Sequence, residues 1–305
     1  MNDYSQEWLK TDFPEFGRPT YKGILDSLVS WRKDLVSGPG TKDLGRIGPD
    51  EILRTTAYSP LEFQKSTKRD DRIFTGFIRD KYPVIVVADG ASDTQTTQGN
   101  FVSGGGVAAQ ESVTTTVKAL ADIKDGLDPI DIQYILESAF VRSEEALRNK
   151  GINSGTTLLV GFPYIHRGRP GKGDVALWYY GYVGDGDTTL ISKGRKIDGR
   201  TISTYLLTPQ KVDSTASVQG KGATVTPFIG SCRYTPGDSL LITTDGFDGP
   251  NQEYLNKQKL SIPFVLGNYP RSPSVLLHEI AQTFRTFRFL DDAVLGFVNT
   301  EVIKK

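Results

Sequence analysis

The chain has a single cysteine, Cys232, among 305 residues. One thiol cannot make an intrachain disulfide, so packing must hold the fold, and a reducing compartment is expected. Histidine is almost as scarce, with only His166 and His278, far apart in sequence. Together with one cysteine they give no zinc-ligand spacing. Neither sign of charge is in excess: 36 basic residues balance 36 acidic ones. Nucleic-acid binders usually carry a basic surplus, so this balance argues against such a partner. No apolar run approaches the roughly 18 uninterrupted residues of a membrane span. The N-terminus, MNDYSQEWLKTDFPEF, has neither the basic start nor the apolar stretch of a signal peptide. A cytoplasmic protein with no membrane or nucleic-acid partner is expected.

Several chemical signatures are missing too. Gly104 to Gly106 is not followed by the lysine of a phosphate loop. No GxSxG elbow marks a serine nucleophile. The GDGD at Gly184–Asp187 resembles the start of a calcium loop but lacks its closing glutamate and flanking helices.

What the chain does have is apolar runs of two periods. Ile24, Leu25, Leu28, Val29, Trp31 and Leu35 recur at spacings that predict an amphipathic helix over 23–36. SGPGTKDLGRIGPD, Ser37 to Asp50, reads as a Gly/Pro-punctuated linker. Residues 1–57 are therefore expected to form an N-terminal arm with one helix and a linker, and residues 58–305 the main domain. RIFTGFI (Arg72–Ile78) alternates like a strand, and VIVVA (Val84–Ala88) reads as a buried one. A helix is expected from about Val107, and a second over 129–150, stopped by Gly151. GTTLLVGF, VALWYYGYV and SLLITT then read as strands, 274–287 as a helix and AVLGFV as a last strand. Strands and helices fall in groups rather than in regular alternation. This is an α+β order, which a pair of packed sheets covered by helices would accommodate.

The aspartates sit where these strands end. Asp70-Asp71 precede RIFTGFI, Asp89-Gly90 ends VIVVA, Asp185 and Asp187 follow VALWYYGYV, Asp245-Gly246 ends SLLITT, and Asp291-Asp292 precedes AVLGFV. Asp-Gly is also a common turn dipeptide, and any one pair can be read so. Carboxylates converging at one sheet edge would repel unless a cation lay between them. Oxygen ligands of this kind suit Mg²⁺ or Mn²⁺. Glycine after aspartate opens its carbonyl to a ligand or lets another group approach closely.

The ordered set KRDDRIF, VVADGAS, GGGVAAQ, SGTTLLVG, GYVGDGDTTLIS, DSLLITTDGFDG and LDDAVLGFV resembles the metal-dependent protein phosphatases of the PPM, type 2C, class, over about Phe63 to Val298. The resemblance implies two packed antiparallel β-sheets flanked by helices on both outer faces. It implies a serine/threonine phosphatase that hydrolyses phosphomonoesters of a phosphorylated protein with a metal-activated water or hydroxide, and no phosphoenzyme. It implies two Mg²⁺ or Mn²⁺ ions and a third, weaker site. In its terms Asp70 and Asp71 are the acidic pair, Asp89 bridges the ions, Gly90 offers a carbonyl, Asp245 and Asp291 are further ligands, and Asp185 belongs to the third site. Asp89, Asp245 and Asp291 are then the catalytic set. Two positions depart from the pattern. Ala91-Ser92 stands where many members have a histidine, and Ser66 where the phosphate-holding arginine stands. Lys65, Lys68 and Arg69 are the candidate replacements for that arginine. These departures leave an alternative, a pseudophosphatase acting as a phosphoprotein-binding or regulatory module.

Overall fold

The structure, a computed structural model, describes residues 18–63, 70–91, 104–168, 173–197, 200–208, 218–219, 226–233, 235, 237–248, 262–263, 266, 277, 280 and 292–304. Helix α1 (Arg18–Arg32) is followed by strands β1 (Val36–Ser37), β2 (Gly40–Gly48), β3 (Glu51–Ala57), β4 (Leu61–Phe63), β5 (Arg72–Ile78) and β6 (Tyr82–Ala88). Helices α2 (Gly104–Leu120) and α3 (Pro129–Asn149) come next. Strands β7 (Gly155–Thr156), β8 (Leu158–His166), β9 (Val175–Val183), β10 (Asp187–Ile197), β11 (Arg200–Leu206), β12 (Val218–Gln219), β13 (Phe228–Arg233) and β14 (Ser239–Thr243) follow. A 3₁₀ turn (Asp245–Phe247) and β15 (Ala293–Lys304) complete the described elements.

Apart from β7 and β12, which pair in a separate two-stranded sheet, the strands form two antiparallel sheets. One runs β1-β5-β6-β8-β9-β13, the other β11-β10-β14-β15-β3-β2 with β4 also on β15. Period-two alternation sorts their side chains. Ile73, Phe77, Ile85, Val87, Leu159 and Trp178 of the first sheet meet Leu190, Leu240, Ile242, Val294 and Val298 of the second in the sandwich interior. Phe74, Ile78, Val84, Val86 and Val160 point the other way, into a core with Ile24 and Leu28 of α1, Val113 and Val117 of α2, and Leu136 and Phe140 of α3. Both faces of β5 and β6 are covered, which is why their sequences are almost continuously apolar. On the outer face of the second sheet, Leu241, Leu295 and Phe297 pack with Ile262, Leu266, Leu277 and Ile280, all four in helical conformation. The αββα sandwich expected from the sequence is the fold observed. Among the described residues, no helix is long and apolar enough to cross a membrane.

The segment read as a linker is not one. Residues 37–50 contain β2, and the β2–β3 hairpin extends the second sheet, with Val298 opposite Ala57 and Lys304 opposite Glu51. Residues on both sides of position 57 thus share one sheet. The reading missed this because β2 has one buried side chain, Leu44, in nine residues, so no apolar alternation showed. Helix α1 starts and ends earlier than its apolar spacing suggested. Its first turn is held from outside: the Tyr21 N–H donates to Glu62 Oε1 at 3.0 Å and the Tyr21 hydroxyl to the Thr75 carbonyl at 3.0 Å. Helix α3 follows its sequence signals closely. Asp128 and Asp131 make a reciprocal capping box, Pro129 opens the first turn, and Gly151 leaves at φ +65°.

His166 ends β8 in a half-buried aromatic group. Its Nδ1 lies 3.1 Å from the Leu127 carbonyl and its Nε2 2.6 Å from the Tyr179 hydroxyl. A carbonyl only accepts, so Nδ1 carries the proton and Nε2 accepts from Tyr179. Burial pulls the imidazole pKa below 6.5, against the opposing effects of the Leu127 carbonyl and Asp128.

Two outcomes are expected. Leu28 is fully buried, so Leu28→Ala should lower unfolding free energy by about 3 kcal/mol in urea; an unchanged midpoint would mean that α1 does not belong to the core. For His166 the unfolded imidazole binds its proton at higher pH than the folded one. Its contribution to stability is therefore full above pH 6.5 and is lost as pH falls through the lower folded value. Urea midpoints measured across that window should fall less steeply in His166→Phe; identical slopes would contradict the assignment.

Candidate metal centre

Three strand ends meet at one edge of the sandwich. Asp89 leaves β6, Asp185 stands in the turn between β9 and β10, and Asp245 opens the 3₁₀ turn after β14. One carboxylate oxygen from each lies within 4.8 Å of the other two, and all three residues are half-buried. Each ionised pair at that separation repels by about 3 kcal/mol at an effective dielectric of about 20. A hard divalent cation removes that repulsion, and an all-oxygen donor set fits Mg²⁺ or Mn²⁺.

The backbone behind each aspartate is fixed. The Asp89 carbonyl accepts from the Thr157 N–H at 2.8 Å and from the Thr156 hydroxyl at 2.7 Å, while the Asp89 N–H donates to Thr157 Oγ1 at 3.0 Å. Gly90 bridges to Thr156, and the Ala91 N–H donates to the Gly155 carbonyl at 3.0 Å. Gly90 also lies directly against the backbone of Gly105, leaving no room for a Cβ on either residue. This contact requires glycine at position 105, in the first turn of α2, which begins at Gly104 rather than near Val107. Gly246 is pressed in the same way against the Asp292 carbonyl. In the β9–β10 turn, Gly184 takes φ +99°, and a Cβ on Gly186 would stand 2.7 Å from the Thr243 carbonyl.

A second acidic layer lies behind the cluster. Asp70, Asp71 and Asp292 are each 5 % exposed. The Asp70 N–H donates to Asp292 Oδ2 at 2.9 Å. The Thr244 hydroxyl donates to Asp71 Oδ2 at 2.7 Å and accepts from the Val294 N–H at 3.0 Å, joining the starts of β5 and β15 to the end of β14. Arg72 is buried among these carboxylates. Its guanidinium donates to the Asp71 carbonyl at 2.7 Å and to Gln110 Oε1 on α2 at 3.2 Å. Burial draws its pKa down, and the charges of Glu62, Asp71, Asp70 and Asp292 oppose that.

Of the residues expected from sequence, the structure brings Asp89, Asp185 and Asp245 into one group, with Gly90 beside them. Asp185, expected at a separate third site, has a carboxylate oxygen within the same 4.8 Å of the other two. Asp70 and Asp71 lie in the layer behind. Asp291, Lys65, Lys68 and Arg69 lie outside the described residues. Sequence reading missed Thr156, Thr157, Thr244 and Arg72, and counted Asp292 among the strand-end carboxylates without giving it a role. The paired threonines of SGTT and the arginine directly after Asp70-Asp71 were visible, but neither has a spacing rule that marks it.

Thr244→Val keeps the shape of the side chain and leaves Asp71 Oδ2 and the Val294 N–H each short of a partner. It should lower stability by about 1–3 kcal/mol in urea unfolding. A change within experimental error would show that the hydroxyl does not join the three strands.

No protein-family model and no curated protein matches the chain. Solved structures do. The S. agalactiae serine/threonine phosphatase superposes with a TM-score of 0.58 at 16% identity, over 81% of this chain and 98% of that one. The Mycobacterium tuberculosis serine/threonine phosphatase PstP gives 0.55 at 16% identity, over 82% and 99%. The catalytic domain of PstP in complex with two manganese ions gives 0.52 at 15% identity, over 82% and 99%. At these identities the likeness is one of fold. On that ground the chain has the fold of the serine/threonine phosphatases that its motif order resembles.

Proposed function

We propose that the chain is a metal-dependent phosphoprotein phosphatase of the serine/threonine, PPM class. The observation that carries this reading is the group of Asp89, Asp185 and Asp245 oxygens within 4.8 Å of one another at the end of an αββα sandwich. A phosphatase structure of the same fold holds two manganese ions. Asp89, Asp185 and Asp245 are the residues that would hold Mg²⁺ or Mn²⁺ here, two ions being the proposed number, with Asp291 completing the set and Gly90 offering its carbonyl. A bound cation of this kind supplies Lewis-acid chemistry, neutralising phosphoryl charge and making a water acidic enough to attack at neutral pH.

The chain's own part is positioning. The threonine pair Thr156-Thr157 holds Asp89 from behind, the Gly246–Asp292 contact seats Asp245, and Thr244 ties in Asp71. Arg72 keeps the layer of Asp70, Asp71 and Asp292 compact by offsetting its charge. The substrate class is a phosphoserine or phosphothreonine in a protein, presented at this edge.

One observation favours the second reading, a pseudophosphatase. Ala91, exposed beside Gly90, brings no proton donor to the cluster. His166 cannot serve, since it lies at the far end of β8 from Thr157, which precedes the strand, roughly 30 Å away at about 3.3 Å per residue. It is also engaged with Leu127 and Tyr179.

Turnover separates the two. p-Nitrophenyl phosphate and a phosphothreonine peptide should be hydrolysed with Mn²⁺ or Mg²⁺ present, and Asp89→Asn should lower kcat/KM by about a hundredfold or more. Phosphopeptide binding by calorimetry without turnover in either cation would replace the phosphatase reading with the binding-module one.

A further inference from the structure

A cavity of about 350 Å³ lies at the far end of α2 from Asp89. The helix begins against Gly90 and runs 17 residues to Leu120. At 1.5 Å per residue that is roughly 25 Å, so the cavity is separate from the acidic cluster. Trp31 and Arg32 reach it from the last turn of α1, Arg79 from the β5–β6 turn, Lys118 from the last turn of α2 and Arg142 from α3. Leu35, Ala119 and Ala121 give it an apolar floor.

Four cations therefore share one opening. Two carboxylates answer them: Asp34 accepts from Arg32 at 2.8 and 2.7 Å, and Asp122 from Arg142 at 3.2 Å. Arg79 donates its Nε–H to the Ala121 carbonyl at 3.1 Å. Lys118 lies over the Trp31 ring, 5.6 Å from its centroid, and makes no ion pair among the described residues. A basic residue at a helix C-terminus complements the helix dipole, which accounts for Arg32 and Lys118 separately. It does not account for two more arginines, from a turn and from the side of a third helix, at the same opening. Arg79 and Asp80 both take the left-handed conformation, at φ +52° and +53°, and the turn they form places the Arg79 side chain at the cavity wall.

We propose that this cavity binds the phosphate of a small phosphomonoester, at a site distinct from the acidic cluster. Guanidinium forks match phosphate oxygens in two-point contacts, and Lys118 adds a point charge. The volume falls within the range of small-molecule sites, roughly 300–1,000 Å³. The site stands whether or not the chain is a phosphatase.

The test uses the full chain in excess chelator, so that no divalent ion can hold phosphate at Asp89. The protein is labelled with 5-fluorotryptophan, and Trp31→Phe identifies the Trp31 fluorine resonance. Adenosine monophosphate and inorganic phosphate are titrated in separate arms at constant ionic strength. The expected result is a saturable shift of the Trp31 resonance with a Kd below about 1 mM in at least one arm. The tighter arm shows whether the organic body or free phosphate is the better ligand. Affinity should fall about tenfold in Lys118→Gln and in Arg142→Gln. Both side chains lie outside the core, and urea midpoints check that each variant is folded. A shift that grows linearly with both anions would overturn the proposal, as would one that saturates equally in wild type and both variants.

Discussion

Three carboxylates held within 4.8 Å of one another repel, and the rest of the structure is arranged so that they stay there. Asp89 and Asp185 follow strands of one sheet and Asp245 follows a strand of the other. Only face-to-face packing of the two sheets lets those strand ends converge. Trp178, Leu159 and Ile85 from one sheet against Leu240, Ile242 and Val298 from the other fix that packing. A Cβ on Gly296 would collide with Ile85, which shows how closely the sheets approach. Hydrophobic burial thus does the work of assembling charge that would otherwise disperse.

The second layer follows from the first. Close packing at Gly90–Gly105 and Gly246–Asp292 holds the backbone beside Asp89 and Asp245. Threonine hydroxyls occupy the gaps: Thr157 accepts from the Asp89 N–H, Thr244 accepts from the Val294 N–H, and Thr156 adds a second bond to the Asp89 carbonyl. Arg72 sits where buried carboxylates would otherwise accumulate uncompensated charge, and α2 reaches it through Gln110. The same helix carries the basic cavity at its other end. One rigid element therefore abuts both an acidic site and a basic one, at a separation that keeps their fields largely screened from each other.

Much of this was legible in the sequence, for a physical reason. β5, β6, β9 and β14 are core strands with apolar side chains on one or both faces, so their runs stand out, and the aspartates at their ends stand out with them. The β2–β3 hairpin was not legible. It lies at the sheet edge with polar residues outward, and its glycines read as linker punctuation. Asp185 was legible as a strand-end carboxylate, but its place in one group with Asp89 and Asp245 depends on how β9 turns into β10 through Gly184 and Gly186, which no spacing encodes. Thr156, Thr157 and Thr244 are ordinary strand residues by type. Their role appears only when β7 is set against the end of β6 and β14 is set beside β15.

Divalent-cation binding at the acidic cluster can be read directly. A crystal of the chain soaked in Mn²⁺ and measured for anomalous scattering should show density in contact with the carboxylates of Asp89, Asp185 and Asp245, and none at that position in Asp89→Asn. Absence of anomalous density at the cluster in the wild-type crystal would contradict the reading of these three aspartates as a metal centre.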